Sequence, residues 1–562
     1  MIIAKQQLNK TKFSSESQKN YFQSDLLIPF ICLLLIEIIA FGINAKRVGI
    51  YQDEWITLSQ LHFVPHSLDK IIAECFWNPR ILIRPVEALH FGLLFYFVQE
   101  NPLWYHIVCY IWEFLGGWFL FLALSRYIGD RSIALTAAVL FLLYPTHDVT
   151  HYEIVASSIA VSMGLFTASL WLYVKGIDEN RYSLIVWSSF AYLLSIYNYE
   201  LCLPFVILYP LLYILKQETP RKFLNNIKTF LVFQIPIISV ALSMVLYRRW
   251  LFDIKLGYRY ALVYDLSNFF TVIWSGVTVS LSPHTFQFCA SMFREAIKSG
   301  LSMFSLACLL IAAGSVFVTL LKESPLPTPK GKAFSLIFIG AVTLLSSYTI
   351  YGFSPEHKPV IDAWLNRVNA GGALGACLIV AGIFALLRDC FTLGSKTIYT
   401  YFIKQSVFAI VMSVFTAALI IIDWQFAQPW IVSWRAQKEL INALRTNANE
   451  IKSGDSIILG GIIRYASKWV PVADGVWDFG GLARTTLNNQ QINATVVTER
   501  LSITENELVD KYGDIVLGKF PFKQMILCAP DKGKWLRISS RKEFIEQSKQ
   551  LGWNVRETAQ NK

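Results

Sequence analysis

Long apolar segments alternate with short polar segments along most of the chain, up to about residue 422. A segment that crosses a bilayer as a perpendicular helix needs about 20 residues, so the shorter segments reach this length only with flanking residues. The pattern predicts about eleven transmembrane helices. The predicted spans are residues 26–44, 103–124, 133–144, 154–174, 184–197, 201–215, 230–246, 301–321, 334–351, 370–387 and 406–422.

The apolar segment at residues 86–98 decides the topology. If it does not cross, basic residues concentrate in the loops on the side of the N-terminus, as they do in cytoplasmic loops. If it crossed, every later basic loop would fall on the opposite side. We therefore predict a helix that lies in or dips into the outer interface, with Glu87 and His90 toward water.

This topology divides the chain into three parts. Residues 1–25 are predicted to form a cytoplasmic tail, residues 26–422 a transmembrane domain and residues 423–562 an extracytoplasmic soluble domain. The outer loops of the transmembrane domain are residues 45–102, 145–153, 247–300 and 352–369. No small-residue cleavage site closely follows the first apolar segment, so we expect a retained span and not a removed signal peptide.

The composition changes sharply after the last predicted span. Segments typical of strands lie at residues 456–463, 494–497 and 524–528. Residues 434–452 and 542–551 have helical periodicity, and Gly480-Gly481 is interpreted as a turn. The predicted fold class is an α-helical multi-spanning membrane protein with a small C-terminal α/β or α+β domain.

The composition supports the membrane assignment and excludes other classes. Hydrophobic residues make up 54% of the chain and the mean hydropathy is +0.45, which is too apolar for an ordinary soluble protein. The net charge of +11 comes largely from basic residues between apolar segments, so we interpret it as a topology signal and expect no nucleic-acid partner. The nine cysteines occur singly without CxxC spacing, which argues against a disulfide framework or a structural zinc site.

Two adjacent carboxylates follow the first span, in the sequence Tyr51-Gln52-Asp53-Glu54-Trp55. Carboxylates beside a bilayer are costly unless they pair, bind a cation or transfer protons, so they mark a candidate site. Alternatively, both acids only cap the following helix, because acids favour the first helical turn. The catalytic candidates are Asp53, as a general base, and Glu54, as a capping or acceptor-orienting neighbour.

Basic residues on the predicted outer face suit a phosphate leaving group, because guanidinium groups stabilise its growing negative charge. The candidates are Arg80, Arg84 and Arg367, with Lys358 as a further substrate contact. For Arg80 and Arg84 the alternative is that they anchor the interfacial helix to lipid phosphates.

The second outer loop carries four residues of interest, His147, Asp148, His151 and Glu153. His147 and Asp148 are candidate substrate contacts. Asp148, His151 and Glu153 offer oxygen and imidazole ligands that suit Mg²⁺ or Mn²⁺. They would form such a metal site only if Asp53 converged with them. The alternative is a capping and hydrogen-bonding cluster at the membrane surface.

Four motifs occur in order along the first part of the chain. They are Asp53-Glu54 after the first span, Arg84-Pro85 in the same loop, Asn101-Pro102-Leu103-Trp104-Tyr105-His106 opening the next span, and Tyr144-Pro145-Thr146-His147 closing the third. Together they resemble the GT-C superfamily of integral-membrane glycosyltransferases, which includes protein O-mannosyltransferases and the aminoarabinose transferases of lipid A. The resemblance covers residues 26–174 by motif and the later spans by architecture.

This resemblance implies a polyprenyl-phosphate-linked sugar as donor, transfer on the extracytoplasmic side and usually inversion at the anomeric carbon. It also implies that Asp53 acts as base or orients the acceptor, and that Arg367 lies near the lipid phosphate. In the oligosaccharyltransferase branch the second acidic loop contributes to a metal site. The C-terminal domain departs from the mannosyltransferase pattern because it has no MIR-like repeats, which leaves the acceptor open.

The sequence therefore predicts a membrane glycosyltransferase that moves a sugar from a polyprenyl phosphate to a lipid, glycan or protein acceptor. We expect it in the plasma or inner membrane if the source is bacterial, in contact with membrane lipids. One alternative is a transporter or flippase for a lipid-linked sugar, although transporters place charged segments at mid-bilayer, often in repeated halves, and no repeat is visible. A glycan polymerase or ligase of another membrane fold is a third reading.

Overall fold

The computed structural model describes residues 26–78, 82–217, 220–251, 265–323, 330–354, 357–361, 364–392, 398–467, 470–553 and 555–557. The helices up to residue 216 are α1 (Leu27–Ala40), α2 (Asp53–His62), α3 (Leu68–Trp77), α4 (Pro85–Val98), α5 (Pro102–Ile128), α6 (Arg131–Leu142), α7 (Val149–Tyr152), α8 (Ser157–Glu179), α9 (Tyr182–Asn198) and α10 (Leu208–Lys216). They are followed by α11 (Pro220–Asn225), α12 (Ile227–Leu251), α13 (Leu266–Leu281), α14 (Pro283–Ser299), α15 (Met303–Lys322), α16 (Lys330–Ser347), α17 (Thr349–Gly352), α18 (Ala370–Thr392) and α19 (Ile398–Thr446). Short 3-10 helices include Gly42–Asn44, Glu200–Ile207 and Trp364–Asn369.

The chain is a multi-spanning α-helical membrane protein, as its sequence predicts. Within the ranges given above, eight helices are long and apolar enough to cross a bilayer. They are Leu27–Asn44, Pro102–Ile128, Ser157–Glu179, Ile227–Leu251, Met303–Lys322, Gly331–Gly352, Leu365–Arg388 and Ile403–Thr446. The other predicted spans also fall on helices, but these are shorter.

The local sequence explains where two of the shorter helices begin. The segment predicted at residues 201–215 begins as the 3-10 helix Glu200–Ile207, which contains Pro204, and becomes α-helical only in α10. Proline lacks the backbone N–H that an α-helix interior requires, so the α-helix starts after it. Helix α6 has 12 residues and begins at the N-cap Asp130, whose side chain accepts a hydrogen bond from the Ile133 N–H.

Helix α4 corresponds to the segment that is predicted not to cross. It has 14 residues, fewer than a perpendicular span needs, and Pro85 occupies its first position. The expectation that Glu87 faces water is wrong, because this side chain is only 5% exposed. It pairs instead with Arg84 one turn earlier, at 3.5 Å between Oε2 and Nη1.

Helix α19 continues for 49 residues from the last span to Thr446. The domain boundary predicted at residue 423 therefore lies inside a helix, and Asp423 itself is buried. The C-terminal unit is therefore connected to the membrane part by a helix and not by a flexible linker, although Pro429 in this helix removes one backbone hydrogen bond.

The C-terminal domain contains a mixed sheet. Its strands are β1 (Ser456–Leu459), β2 (Tyr465–Ser467), β3 (Val470–Pro471), β4 (Asn493–Val496), β5 (Leu501–Ile503), β6 (Glu507–Tyr512), β7 (Ile515–Pro521), β8 (Met525–Ala529), β9 (Lys534–Ile538) and β10 (Arg556–Glu557), and its helices are α20 (Phe479–Leu487) and α21 (Arg541–Leu551). The main sheet has the order β4-β1-β8-β9, in which β1 is parallel to both β4 and β8. A second sheet has the order β10-β5-β6-β7. The three strands predicted from sequence are the three parallel neighbours of the main sheet.

The C-terminal domain packs on the helix that carries the acidic pair. Gly480-Gly481 lies inside helix α20 and not in a turn. The backbone of Gly481 is so close to α2 that a Cβ atom there would lie 2.3 Å from the Trp55 carbonyl oxygen. The Trp55 indole Nε1 also donates to Gln437 Oε1 in α19, at 2.9 Å. These contacts fix α2 between two elements of the C-terminal part.

Candidate functional site

The two adjacent acids that begin helix α2 have different surroundings. Asp53 is exposed, whereas Glu54 is only 2% exposed. Glu54 Oε2 accepts a hydrogen bond from the Tyr51 N–H at 2.6 Å, and its Oε1 accepts one from the Val155 N–H at 3.0 Å. Burial raises the pKa of Glu54, the charge of Glu153 raises it further, and the backbone N–H groups lower it. Glu54 therefore joins two loops, and Asp53 is the accessible carboxyl group of the pair.

The backbone directly before Asp53 is strained. Gln52 has a φ of 47° and a ψ of −126°, a conformation that non-glycine residues rarely adopt and that costs about 1–3 kcal/mol. The preceding Tyr51 is buried and anchored, since its hydroxyl donates to the Trp430 carbonyl oxygen at 2.7 Å and accepts from the Gly49 N–H at 2.9 Å. This anchor holds the turn that presents Asp53.

The second loop brings a buried carboxyl group to the same place. Glu153 is 4% exposed and follows the short helix α7. Arg367, in the 3-10 helix Trp364–Asn369, donates from Nη1 to Glu153 Oε2 at 3.3 Å. Glu153 Oε1 is buried and accepts no hydrogen bond from the part of the chain that the structure describes. An unpaired buried carboxylate oxygen is costly, so this atom is suited to accept a proton or a donor from a ligand.

Electrostatics link Asp53 to this pair. Burial raises the pKa of Glu153 to about 7, with Arg367 lowering it and the charges of Asp53 and Asp148 raising it. Asp53 also interacts electrostatically with Arg367. An exposed carboxyl group therefore interacts electrostatically with an ion pair formed by a carboxyl group that titrates near neutral pH and a guanidinium group. This combination can take up a proton and stabilise an anion.

Arg84 lies in a neighbouring network of ion pairs. Its Nε and Nη2 atoms bind the two carboxylate oxygens of Glu200 at 2.8 and 3.1 Å, and its guanidinium group lies 3.8 Å from the centre of the Tyr199 ring. Arg248 Nη2 lies 2.8 Å from Glu200 Oε2. Bidentate contacts of this kind fix the guanidinium plane. Arg84 is thus held by protein side chains, close enough to Arg367 for the two charges to interact.

The histidines of the second loop face the protein interior. His151 Nδ1 lies 2.7 Å from Glu113 Oε1, and the His151 ring stacks on Phe41 at 4.1 Å between centroids. His147 Nδ1 lies 2.9 Å from the Thr150 hydroxyl oxygen. Burial lowers the pKa of His151 to about 3, so its imidazole is neutral at physiological pH.

The predicted metal ligands do not converge. His151 is engaged with Glu113, Asp148 contacts Asn366 and the Trp430 indole, and Glu153 pairs with Arg367. Among the side chains that the structure describes, no group of three or more His, Cys, Asp or Glu residues is arranged to hold a metal ion. Asp53, Asp148, His151 and Glu153 in this arrangement do not fit a common Mg²⁺ or Mn²⁺ site.

Two further phosphate contacts, Arg80 and Lys358, were predicted from the sequence. Arg80 is outside the described residues. Lys358 is exposed in the short segment 357–361, and the structure places it in no ion pair with the residues described above.

Sequence reasoning missed several polar residues that build the site. Asn366 Oδ1 accepts from the Val149 N–H at 3.2 Å, and Asn369 Nδ2 donates to the Thr146 carbonyl oxygen at 2.9 Å. Both asparagines are buried and flank Arg367. These two asparagines lie three residues apart, directly before an apolar span, and this spacing was the sequence signal that could have identified them. Arg248 was visible only as one of several basic residues in the third loop.

Comparison with known proteins gives similarity in fold only. No protein-family model and no curated protein matches the chain. Among solved structures, the chain is similar to ArnT from Cupriavidus metallidurans bound to undecaprenyl phosphate, with 10% identity, a TM-score of 0.36 and coverage of 82% of this chain and 84% of ArnT. Apo ArnT from the same organism has 13% identity and a TM-score of 0.33, over 84% and 85% of the two chains.

A third similar structure is the Archaeoglobus fulgidus oligosaccharyltransferase tethered to an acceptor peptide, with 12% identity and a TM-score of 0.37. The match covers 84% of this chain and 64% of that one.

Proposed function

We propose that this protein is a membrane glycosyltransferase that moves a sugar from a polyprenyl-phosphate donor to a lipid, glycan or protein acceptor on the extracytoplasmic face. The observation that carries the proposal is the pair of Glu153 and Arg367, with which Asp53 interacts electrostatically. Asp53 is exposed, Glu153 is buried with one unpaired carboxylate oxygen, and Arg367 donates to its other oxygen. An acceptor can therefore reach Asp53, and a phosphate would have the Arg367 guanidinium group as a cationic neighbour.

In the proposed reaction an acceptor hydroxyl or amine attacks the anomeric carbon of the donor. The bond between this carbon and the phosphate oxygen breaks, and its electron pair leaves with the polyprenyl phosphate. Asp53 takes the proton of the attacking group, and Arg367 stabilises the charge that develops on the phosphate. A single displacement of this kind inverts the anomeric centre.

Arg84 has a different role in this proposal. Its guanidinium group already contacts both oxygens of Glu200 and stacks on Tyr199. We assign it to positioning the first loop beside Arg367, and not to direct stabilisation of the leaving group. Glu54 is likewise a positioning residue, because both of its oxygens accept backbone hydrogen bonds.

The proposal is tested by comparing lipid-linked sugars and surface glycans of cells that carry the wild-type protein, Asp53→Asn or Asp69→Asn. Asp69 is an exposed carboxylate in the same loop and serves as the matched control. We expect Asp53→Asn to lower product formation by about 10²–10⁴-fold, the usual contribution of a general base, and Asp69→Asn to leave it unchanged. Unchanged products with Asp53→Asn would contradict the assignment. Redistribution of a lipid-linked sugar across the membrane without a glycosylated product would support a flippase instead.

A further inference from the structure

The C-terminal domain has a cavity that the proposed transfer reaction does not use. It has a volume of about 440 Å³ and opens where strands β1 and β4 end, with Gly460 and Gly461 on one side and Val496 and Thr498 on the other. Small-ligand sites in proteins commonly have volumes of about 300–1,000 Å³.

Its place in the sheet is that of a ligand site. Strand β1 is parallel to β4 on one side and to β8 on the other, so the strand order reverses at β1. In open α/β sheets, ligands bind in the crevice outside the carboxyl ends of the strands at such a reversal. The cavity lies at the carboxyl ends of the parallel strands β1 and β4, next to this reversal, which falls between β1 and β8.

One wall of the cavity is aromatic and carries an unused donor. The Trp553 indole lies against the backbone of Gly460, where a Cβ atom would come within 2.2 Å of the ring. The Trp553 Nε1 atom is buried and donates to no acceptor in the part of the chain that the structure describes. A buried indole N–H normally has a partner, so a ligand oxygen would satisfy it.

The charged groups at the cavity balance each other. Arg464 pairs with Asp474 and, at 3.4 Å, with Glu499, whose side chain is 71% exposed. After β1 the chain leads into the hairpin strand β2, so no helix begins there to bind a phosphate. The cavity thus combines an apolar ring face with a cationic donor, Arg464, and an anionic acceptor, Glu499. It has neither a net positive charge nor a phosphate-binding helix terminus. This combination favours a neutral polyhydroxylated ligand.

We propose that this cavity binds a neutral saccharide unit, whose C–H face packs on Trp553 and whose hydroxyl groups bond Trp553 Nε1, Arg464 and Glu499. The inference goes beyond the proposed transferase activity, because binding here requires neither Asp53 nor turnover.

The test uses the full-length protein in phospholipid nanodiscs free of glycosidic detergent. Saturation-transfer NMR would measure binding of the methyl glycosides of glucose, galactose, mannose and N-acetylglucosamine. We expect at least one glycoside to bind, with its affinity lowered about threefold to tenfold in Trp553→Phe and in Glu499→Gln, since each removes one hydrogen bond. The matched control Glu505→Gln, another exposed carboxylate of this domain, should bind like the wild type.

Asp53→Asn separates this inference from the proposed function, because it should abolish transfer and leave glycoside binding unchanged. The saccharide site is refuted if no glycoside binds, or if Trp553→Phe and Glu499→Gln bind as well as Glu505→Gln. Loss of binding in Asp53→Asn would place the sugar at the transferase site and would also refute it. Displacement of the glycoside by inorganic phosphate would identify an anion site instead.

Discussion

Arg367 Nη1 lies 3.3 Å from Glu153 Oε2, and the other carboxylate oxygen of Glu153 is buried without a hydrogen bond from the described residues. One oxygen of this buried carboxyl group therefore has no hydrogen-bond donor among the described residues. This makes Glu153 sensitive both to pH and to whatever binds beside Arg367.

The first prediction concerns the pH dependence of stability. Burial raises the pKa of Glu153 from 4.5 to about 7, so the folded protein keeps a proton that the unfolded chain loses between these values. Stability should therefore fall as pH rises from about 4.5 to 7, by up to about 3 kcal/mol, and stay level above that. In Glu153→Gln this part of the pH dependence should disappear. Thermal unfolding from pH 4.5 to 8 would measure it, with Asp69→Asn as a control that retains the wild-type slope.

The second prediction concerns Arg84. Lysine has one charged nitrogen and cannot reproduce the bidentate contact with Glu200 or the stacking on Tyr199. We expect Arg84→Lys to lower the free energy of unfolding by about 2 kcal/mol. Arg181→Lys is the control, because Arg181 is 60% exposed and makes one contact with Glu179, so a change under about 0.5 kcal/mol is expected. Equal stability of the two variants would contradict the structural role of Arg84.

The third prediction concerns the contact between the C-terminal domain and α2. Gly481→Ala places a methyl group 2.3 Å from the Trp55 carbonyl oxygen, so the helices must separate. We expect a loss of about 1–3 kcal/mol and faster proteolysis of the C-terminal domain. Gly314→Ala in helix α15 is the matched control, since its new Cβ atom meets nothing within 4 Å. Equal protease resistance of both variants would argue against close packing at Gly481.

The fourth prediction concerns the strained turn before Asp53. Gln52 has a positive φ, which glycine adopts without a steric penalty. Gln52→Gly should therefore be neutral or stabilising by about 1 kcal/mol, although glycine usually destabilises a folded chain. Gln60→Gly, inside helix α2, should instead lose about 1 kcal/mol. Chemical or thermal unfolding of the two variants would distinguish these signs.

The sequence predicted those features that depend on local pattern. The spans could be located because the length of an apolar segment decides whether a helix can cross the bilayer. The strands β1, β4 and β8 could be located because β-branched residues cluster between turns. The candidate role of Asp53 came from its place after a span. That role stays a prediction, as does that of Arg367, whereas Arg84, predicted as a phosphate contact, is now proposed to position the first loop.

The pairings within the site could not be predicted, since they join distant parts of the chain. Arg84 and Glu200 are 116 residues apart, and Glu54 accepts from an N–H group 101 residues later. Local pattern contains no information about which charges tertiary packing brings together. Glu87 was expected in water because the local pattern does not show which face of α4 is buried, although its partner Arg84 lies only three residues earlier.

Helix α19, which continues through Pro429, sets the rotation of the C-terminal domain about the helix axis. A helix of 49 residues is about 74 Å long and turns by about 100° per residue. Deleting a single residue between Asp423 and Gln437 would swing the C-terminal domain by roughly a quarter of a turn and carry Gln437 away from the Trp55 indole. The length of this helix, counted in whole residues, thus sets the angle at which the two halves of the molecule meet.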